Sequence, residues 1–129
     1  MALGPLAQIH ISVADLDRAV AFYRDVLGIP LLFRVPGQPM AFFRSGDVRL
    51  YLGVPESAEL TSHTVHYFRV DDIEAEHARL AAAGVPMMDK PHVVHRDGTT
   101  ELWMAFLRDP DGHRLALMQE RPAQQQPAG

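Results

Sequence analysis

Cysteine is absent from the 129 residues. That excludes a disulfide framework, a thiolate nucleophile and a thiolate metal site together, and it suits a reducing compartment, so the cytoplasm is the expected location. Long apolar runs are missing too, and no stretch approaches the roughly 18 apolar residues of a membrane span. Met1-Ala2-Leu3-Gly4-Pro5 lacks the basic region and apolar run of a signal peptide, so neither export nor a membrane partner is expected. The formal net charge is −4 with no lysine or arginine run. Phosphate binding needs clustered cations, so nucleic acid is not an expected partner. There is no Gly-rich phosphate loop, no serine-histidine-acid order and no paired zinc-type spacing. The hydrophobic share of 47% and charged share of 22% are those of an ordinary globular chain, and the length suits one domain over residues 1–120. Residues 121–129, with Gln124-Gln125-Gln126 and two prolines, hold too little apolar surface to offset their ordering entropy and read as a disordered tail.

What the chain does have is an internal repeat. Val13-Ala14-Asp15-Leu16-Asp17-Arg18-Ala19 lies over Val70-Asp71-Asp72-Ile73-Glu74-Ala75-Glu76 at a shift of 57, and both stretches reach a Gly-apolar-Pro stop, Gly28-Ile29-Pro30 and Gly84-Val85-Pro86. Glycine takes the left-handed conformation past a helix end, and proline forbids continuation. Two one-sided helices follow. The first buries Leu16, Ala19, Val20, Tyr23, Val26 and Leu27, and the second Ile73, His77, Leu80 and Ala81. Asp71 with Glu74 has the spacing of a capping box. Further on, Met40-Ala41-Phe42-Phe43-Arg44 matches Met104-Ala105-Phe106-Leu107-Arg108, and Arg49-Leu50-Tyr51-Leu52 matches Arg114-Leu115-Ala116-Leu117. The shift grows from 64 to 65 between these pairs, and the extra residue falls in the turn Asp109-Pro110-Asp111-Gly112, whose proline and glycine suit a type I reversal.

Each unit therefore reads as strand, helix and three strands: 7–13, 15–27, 31–35, 40–45 and 48–53, then 62–70, 72–83, 87–95, 102–108 and 113–119. The fold class is α+β, two tandem βαβββ modules spanning 7–53 and 62–119. Alternating valine, phenylalanine and tyrosine with polar residues implies sheets covered by a helix on one face and lined by polar groups on the other.

The run from Gln8 to Gly28, with Phe22-Tyr23 before Leu27-Gly28, then Val70-Asp71-Asp72-Ile73 and Asp109-Pro110-Asp111-Gly112, resembles the vicinal oxygen chelate superfamily, the glyoxalase, bleomycin-resistance and extradiol-dioxygenase group. The resemblance covers about residues 7–119. It implies a cupped half-barrel sheet, often completed across a homodimer, and in the enzymes a divalent metal held by a histidine five residues before the valine closing each first strand and by a carboxylate on each last strand. Those positions fall on Gln8, Val65, Tyr51 and Ala116. An amide, a phenol and two alkyl groups do not make the three or four converging donors that zinc, nickel, iron or manganese requires. No cofactor is expected, and a divalent metal is the runner-up.

The remaining candidates follow from strand phase. His10 and Ser12 share the face of Gln8, and His10 reads either as a ligand or proton-moving group or as part of a polar core network. Tyr67 and Arg69 share the phase of Val65, with His63 at the edge. Arg69 needs an anionic partner, either a ligand or one of the protein's own acids. Arg49 and Arg114 hold matching places in the two copies, in phase with Tyr51 and Ala116, and either draw an anion or lie solvated at the rim. Trp103 is placed near Met118 and Ala116, as a stacking platform or as a core residue. His66 falls out of phase and should turn toward the helices. His92 and His95, three apart on a strand, should point to opposite faces, which disfavours a metal there. The leading expectation is a metal-free protein binding an aromatic or anionic small molecule. The alternatives are a metal-dependent lyase, isomerase or dioxygenase using His10, His66 and Glu101, and a cofactorless enzyme in which His10 moves a proton.

Overall fold

Asp15 and Asp72, which the repeat superimposes, each start a helix by the same device: the extended Asp15 accepts from the Arg18 backbone N–H at 3.1 Å, and the extended Asp72 accepts from that of Ala75 at 3.1 Å. The cap is thus Asp72, where the capping-box spacing had pointed to Asp71. Glu74 turns away to pair with Arg121. Both helices end where expected, at Gly28 and Gly84, whose φ values of 78° and 86° are open to glycine at little cost.

The computed structural model describes residues 5–55 and 64–123. The chain divides into two compact units, Met1–Ser62 and His63–Gly129. In the first, β1 (Gln8–Ser12) leads into α1 (Leu16–Ala21), which widens into a π-helical turn over Phe22–Val26. Strands β2 (Leu31–Arg34), β3 (Met40–Ser45) and β4 (Val48–Gly53) complete a four-stranded mixed sheet in the order β1-β4-β3-β2, with β1 parallel to β4. The second unit repeats this with β5 (Val65–Arg69), α2 (Ile73–Ala82), β6 (His92–Arg96), β7 (Thr100–Arg108) and β8 (Arg114–Pro122), in the order β5-β8-β7-β6. The registers superimpose: Gln8 lies beside Arg49 as Val65 lies beside Arg114, and His10 beside Tyr51 as Tyr67 beside Ala116. Two mixed sheets, each carrying a helix, make the expected α+β fold.

One face of each sheet is apolar because its helix lies there. Ile11, Ala41, Phe43, Leu50 and Leu52 are buried with Leu16, Ala19, Val20 and Tyr23 of the first helical segment. Ala105, Leu107, Leu115 and Leu117 are buried with Ile73 and Leu80 of α2. Removing such side chains from water stabilises by about 1.5–3 kcal/mol each. Ala81 is exposed, because one residue past Leu80 is a 100° step off the buried stripe.

Among the described residues several expected boundaries moved, most by a residue and three by more. Residues 87–95 do not form one strand: Met87 makes an isolated bridge to Leu107 and β6 begins only at His92. Strand β7 starts two residues early at Thr100. Strand β8 runs past 119 to Pro122, and Ala123 donates to the Thr99 carbonyl at 2.9 Å, so the start of the expected tail is strand. Arg121 has side-chain partners that composition does not reveal. Residues 124–129 and His63 lie outside the described residues.

Candidate functional site

The face of the first sheet opposite α1 is built on neighbours in register. Gln8, His10 and Ser12 lie beside Arg49, Tyr51 and Gly53, and Arg44, Phe42 and Met40 flank them on β3. A stack of rings crosses all four strands. The His10 and Tyr51 rings are 4.4 Å apart, Tyr51 and Phe42 are 4.9 Å apart and nearly parallel, and Phe42 and Phe33 are 4.8 Å apart. Offset stacking of this kind adds to area burial: it buries Phe42 between Tyr51 and Phe33 and leaves the end rings, His10 and Phe33, exposed. Phe33 joins because a bulge at Leu32 sets it opposite Phe42. Sequence reasoning missed Phe42 and Phe33. Phe42 was recoverable, since a two-residue turn between Ser45 and Val48 counts it onto Tyr51, whereas nothing in the local sequence announces the bulge.

Arg49 is fixed on two sides. Its Nε donates to the Gln8 amide oxygen at 2.7 Å, and its guanidinium carbon lies 5.1 Å from the centre of the Phe42 ring.

On the second sheet, Val65, Tyr67 and Arg69 lie beside Arg114, Ala116 and Met118. Ala116 is small enough for Tyr67 to meet Phe106 across it, edge to face with centroids 6.3 Å apart. Arg69, with Asp71, Asp72 and Glu76, borders a depression of about 270 Å³. Arg69 and Arg114 are exposed and make no ion pair with any described residue.

Trp103 does not share that face. It pairs with Gln119 and stands in phase with the buried Ala105 and Leu107, so it belongs to the helix side, away from Ala116 and Met118. Its indole N–H donates to Glu101 at 3.3 Å, and Arg121 covers its ring at 4.7 Å. Glu101 is buried and accepts from Arg96 at 2.7 Å. Arg121 also pairs with Glu74, and Gln119 links Asp71 and Ile73 at the start of α2.

His92 and His95 are brought together on one face, against expectation. The register shifts at Val94, so His92 lies opposite Met104 and His95 opposite Leu102, two residues apart on β7. An extra residue in a bulged strand cancels one step of alternation. His66 turns to the side of Leu115 as expected and is half-buried. Burial, then His113, lower its pKa below the usual histidine range, with Asp109 opposing them.

The metal implied by the resemblance does not fit the four inherited positions. Val65 and Ala116 carry no donor atom, Tyr51 is stacked between two rings, and the Gln8 oxygen already accepts from Arg49. Among the described residues no group of three or more His, Asp or Glu side chains is arranged to hold a metal ion. No described helix is long and apolar enough to cross a membrane.

Comparison with known proteins gives the frame for this site. The family model described as Glyoxalase/Bleomycin resistance protein/Dioxygenase superfamily matches residues 5–117. The chain is 31% identical to a probable lactoylglutathione lyase of Vibrio cholerae serotype O1, over 86% of this chain and 87% of that protein. It is 30% identical to the metallothiol transferase FosB of Shouchella clausii, over 82% and 73%. Among solved structures it is similar to TnmS3, an antibiotic binding protein from Streptomyces sp. CB03234, with a TM-score of 0.74, 26% identity and coverage of 95% and 99%.

Proposed function

This chain belongs to the Glyoxalase/Bleomycin resistance protein/Dioxygenase superfamily, and on that premise we propose that it binds a planar small molecule on the open face of its sheets without a metal ion. One observation carries the reading: the face that presents the metal-ligand positions in the family's enzymes here presents a continuous ring stack, His10, Tyr51, Phe42 and Phe33, with no donor set beside it. A row of stacked rings with exposed end members, bordered by an amide and guanidinium groups, suits an aromatic ligand that is held and oriented. Gln8, His10, Ser12, Arg49 and Tyr51 belong to it on the first sheet; in the second unit Tyr67, Arg69 and Arg114 hold the equivalent positions of their own sheet. The antibiotic-binding neighbour supports this class of function over a lyase. We read the protein as a cytoplasmic homodimer, from its lack of cysteine and from the resemblance respectively; light scattering at micromolar concentration tests the second.

The relatives described as a lactoylglutathione lyase and a metallothiol transferase favour a second reading, a metal-dependent enzyme with displaced ligands. Elemental analysis of protein purified without chelator separates the two. A substoichiometric metal content together with saturable binding of planar aromatic compounds is the expected result. Stoichiometric iron, nickel, zinc or manganese would overturn the metal-free reading, as would a broad aromatic screen without a single saturable binder.

A further inference from the structure

The described arginines sort by location. Arg24, Arg34, Arg79, Arg96 and Arg121 each pair with a carboxylate. Arg49, like Arg44, Arg69, Arg108 and Arg114, pairs with no carboxylate among the described residues, but it alone of these is held by a side-chain amide and a ring, both neutral. Directly across the ladder from it stands another arginine, Arg44, which turns toward the Gly46 carbonyl at 3.5 Å. Like charges facing each other across strands destabilise a sheet unless an anion relieves them.

Arg49 is also held still. Gln8 engages its Nε and the Phe42 ring lies beside the guanidinium carbon, so the two terminal nitrogens form a fork that no described residue fills. A guanidinium fixed in this way recognises a carboxylate or similar oxyanion through two parallel hydrogen bonds, and fixing it beforehand removes part of the ordering cost. Phe42, the ring beside Arg49, is itself stacked on Tyr51.

We propose that Arg49 is the anion-receiving residue of this site, positioned by Gln8, and that the ligand is an aromatic oxyanion whose ring extends the stack at its exposed His10 end, on the strand that carries Gln8. This rests on the binding reading above and narrows its ligand class. Gln8 stands where the family's enzymes place a metal-binding histidine, and its amide oxygen is turned instead onto a guanidinium. The fixed positive charge of the site is then a side chain of the protein.

The test compares 2-naphthoate with its neutral isostere 2-naphthamide by calorimetry, at low and raised salt. Naphthoate should bind about 10-fold more tightly, the low end for a charge-assisted hydrogen bond at an exposed site, and the gap should narrow as salt rises. Arg49→Gln should abolish the gap by weakening naphthoate far more than naphthamide, and Arg49→Lys should restore only part of it because an ammonium lacks the fork. Gln8→Leu should shrink the gap without altering thermal stability, a separation that a purely structural role would not give. Equal binding of the two probes by the unmodified protein, or a gap that persists in Arg49→Gln, overturns the inference and leaves the binding reading standing. If neither probe binds, this inference falls, and the broad aromatic screen then decides the wider reading.

Discussion

The Tyr51 hydroxyl lies over Gly53, so close that a β-carbon added at Gly53 would stand 2.9 Å from the phenolic oxygen and 3.1 Å from two ring carbons. Tyr51 thus keeps its place between His10 and Phe42 partly because position 53 has no side chain. Gly53→Ala should press on the ring tip, which can give by a few tenths of an ångström. Gly53→Val should push the ring out of the stack. The valine variant is expected to lose about 1–3 kcal/mol of stability to overpacking and to bind a planar aromatic probe roughly 5-fold more weakly. Urea unfolding with fluorescence titration checks both, and undiminished probe binding by Gly53→Val would remove Tyr51 from the site.

The two caps make a paired prediction. Asp15→Ala and Asp72→Ala remove equivalent hydrogen bonds at the starts of α1 and α2. Each should cost about 1 kcal/mol in denaturant unfolding, while Asp71→Ala, which loses no such bond, should cost less. Equal losses at Asp71 and Asp72 would mean that cap geometry is not what these aspartates supply.

Glu101 is buried with two donors aimed at it, Arg96 and the Trp103 indole. Glu101→Ala leaves that indole N–H without its acceptor and is expected to destabilise by about 1–3 kcal/mol, with Glu101→Gln costing less because an amide oxygen still accepts. Chemical denaturation followed by tryptophan emission reads this directly. A glutamine variant as unstable as the alanine one would contradict the hydrogen-bond account.

His66 ties stability to pH. Its folded pKa lies below the ordinary value of 6.5, chiefly through burial. Between 6.5 and the folded value the unfolded chain therefore binds more protons. The contribution is fully present above the unfolded pKa and is lost as pH falls through the folded one. The urea midpoint should drop between about pH 7.5 and pH 5.5, and His66→Phe should flatten that part of the slope. Only the difference between the two proteins counts. Identical slopes in the two would refute the assignment.

Much of this molecule was legible in its residues. The Gly-apolar-Pro stops and the 57-residue shift are local signals, and they land where the structure has helix ends and equivalent helix starts, whereas the capping-box spacing points one residue early, to Asp71 instead of Asp72. Placing Gln8, His10, Arg49 and Tyr51 on one face needed only strand alternation, which holds wherever a strand is regular. It failed where strands are irregular. Val94 bulges and returns His95 to the side of His92, and Trp103 could not be assigned a face because the apolar run around it shows no alternation. Arg121 looked like part of a polar tail until Trp103 and Glu74, distant in sequence, were seen to hold it.

The residues alone decided that Val65 and Ala116 bring no donor atom, because an alkyl group cannot ligate a cation in any fold, and they decided the repeat, because caps and stops act within a few positions. Only the tertiary structure decided that four rings from four strands stack into one row and that Gln8 turns its oxygen onto Arg49. Those contacts depend on strand register and on single-residue bulges, which are set by pairing between distant segments and leave no mark in the local sequence.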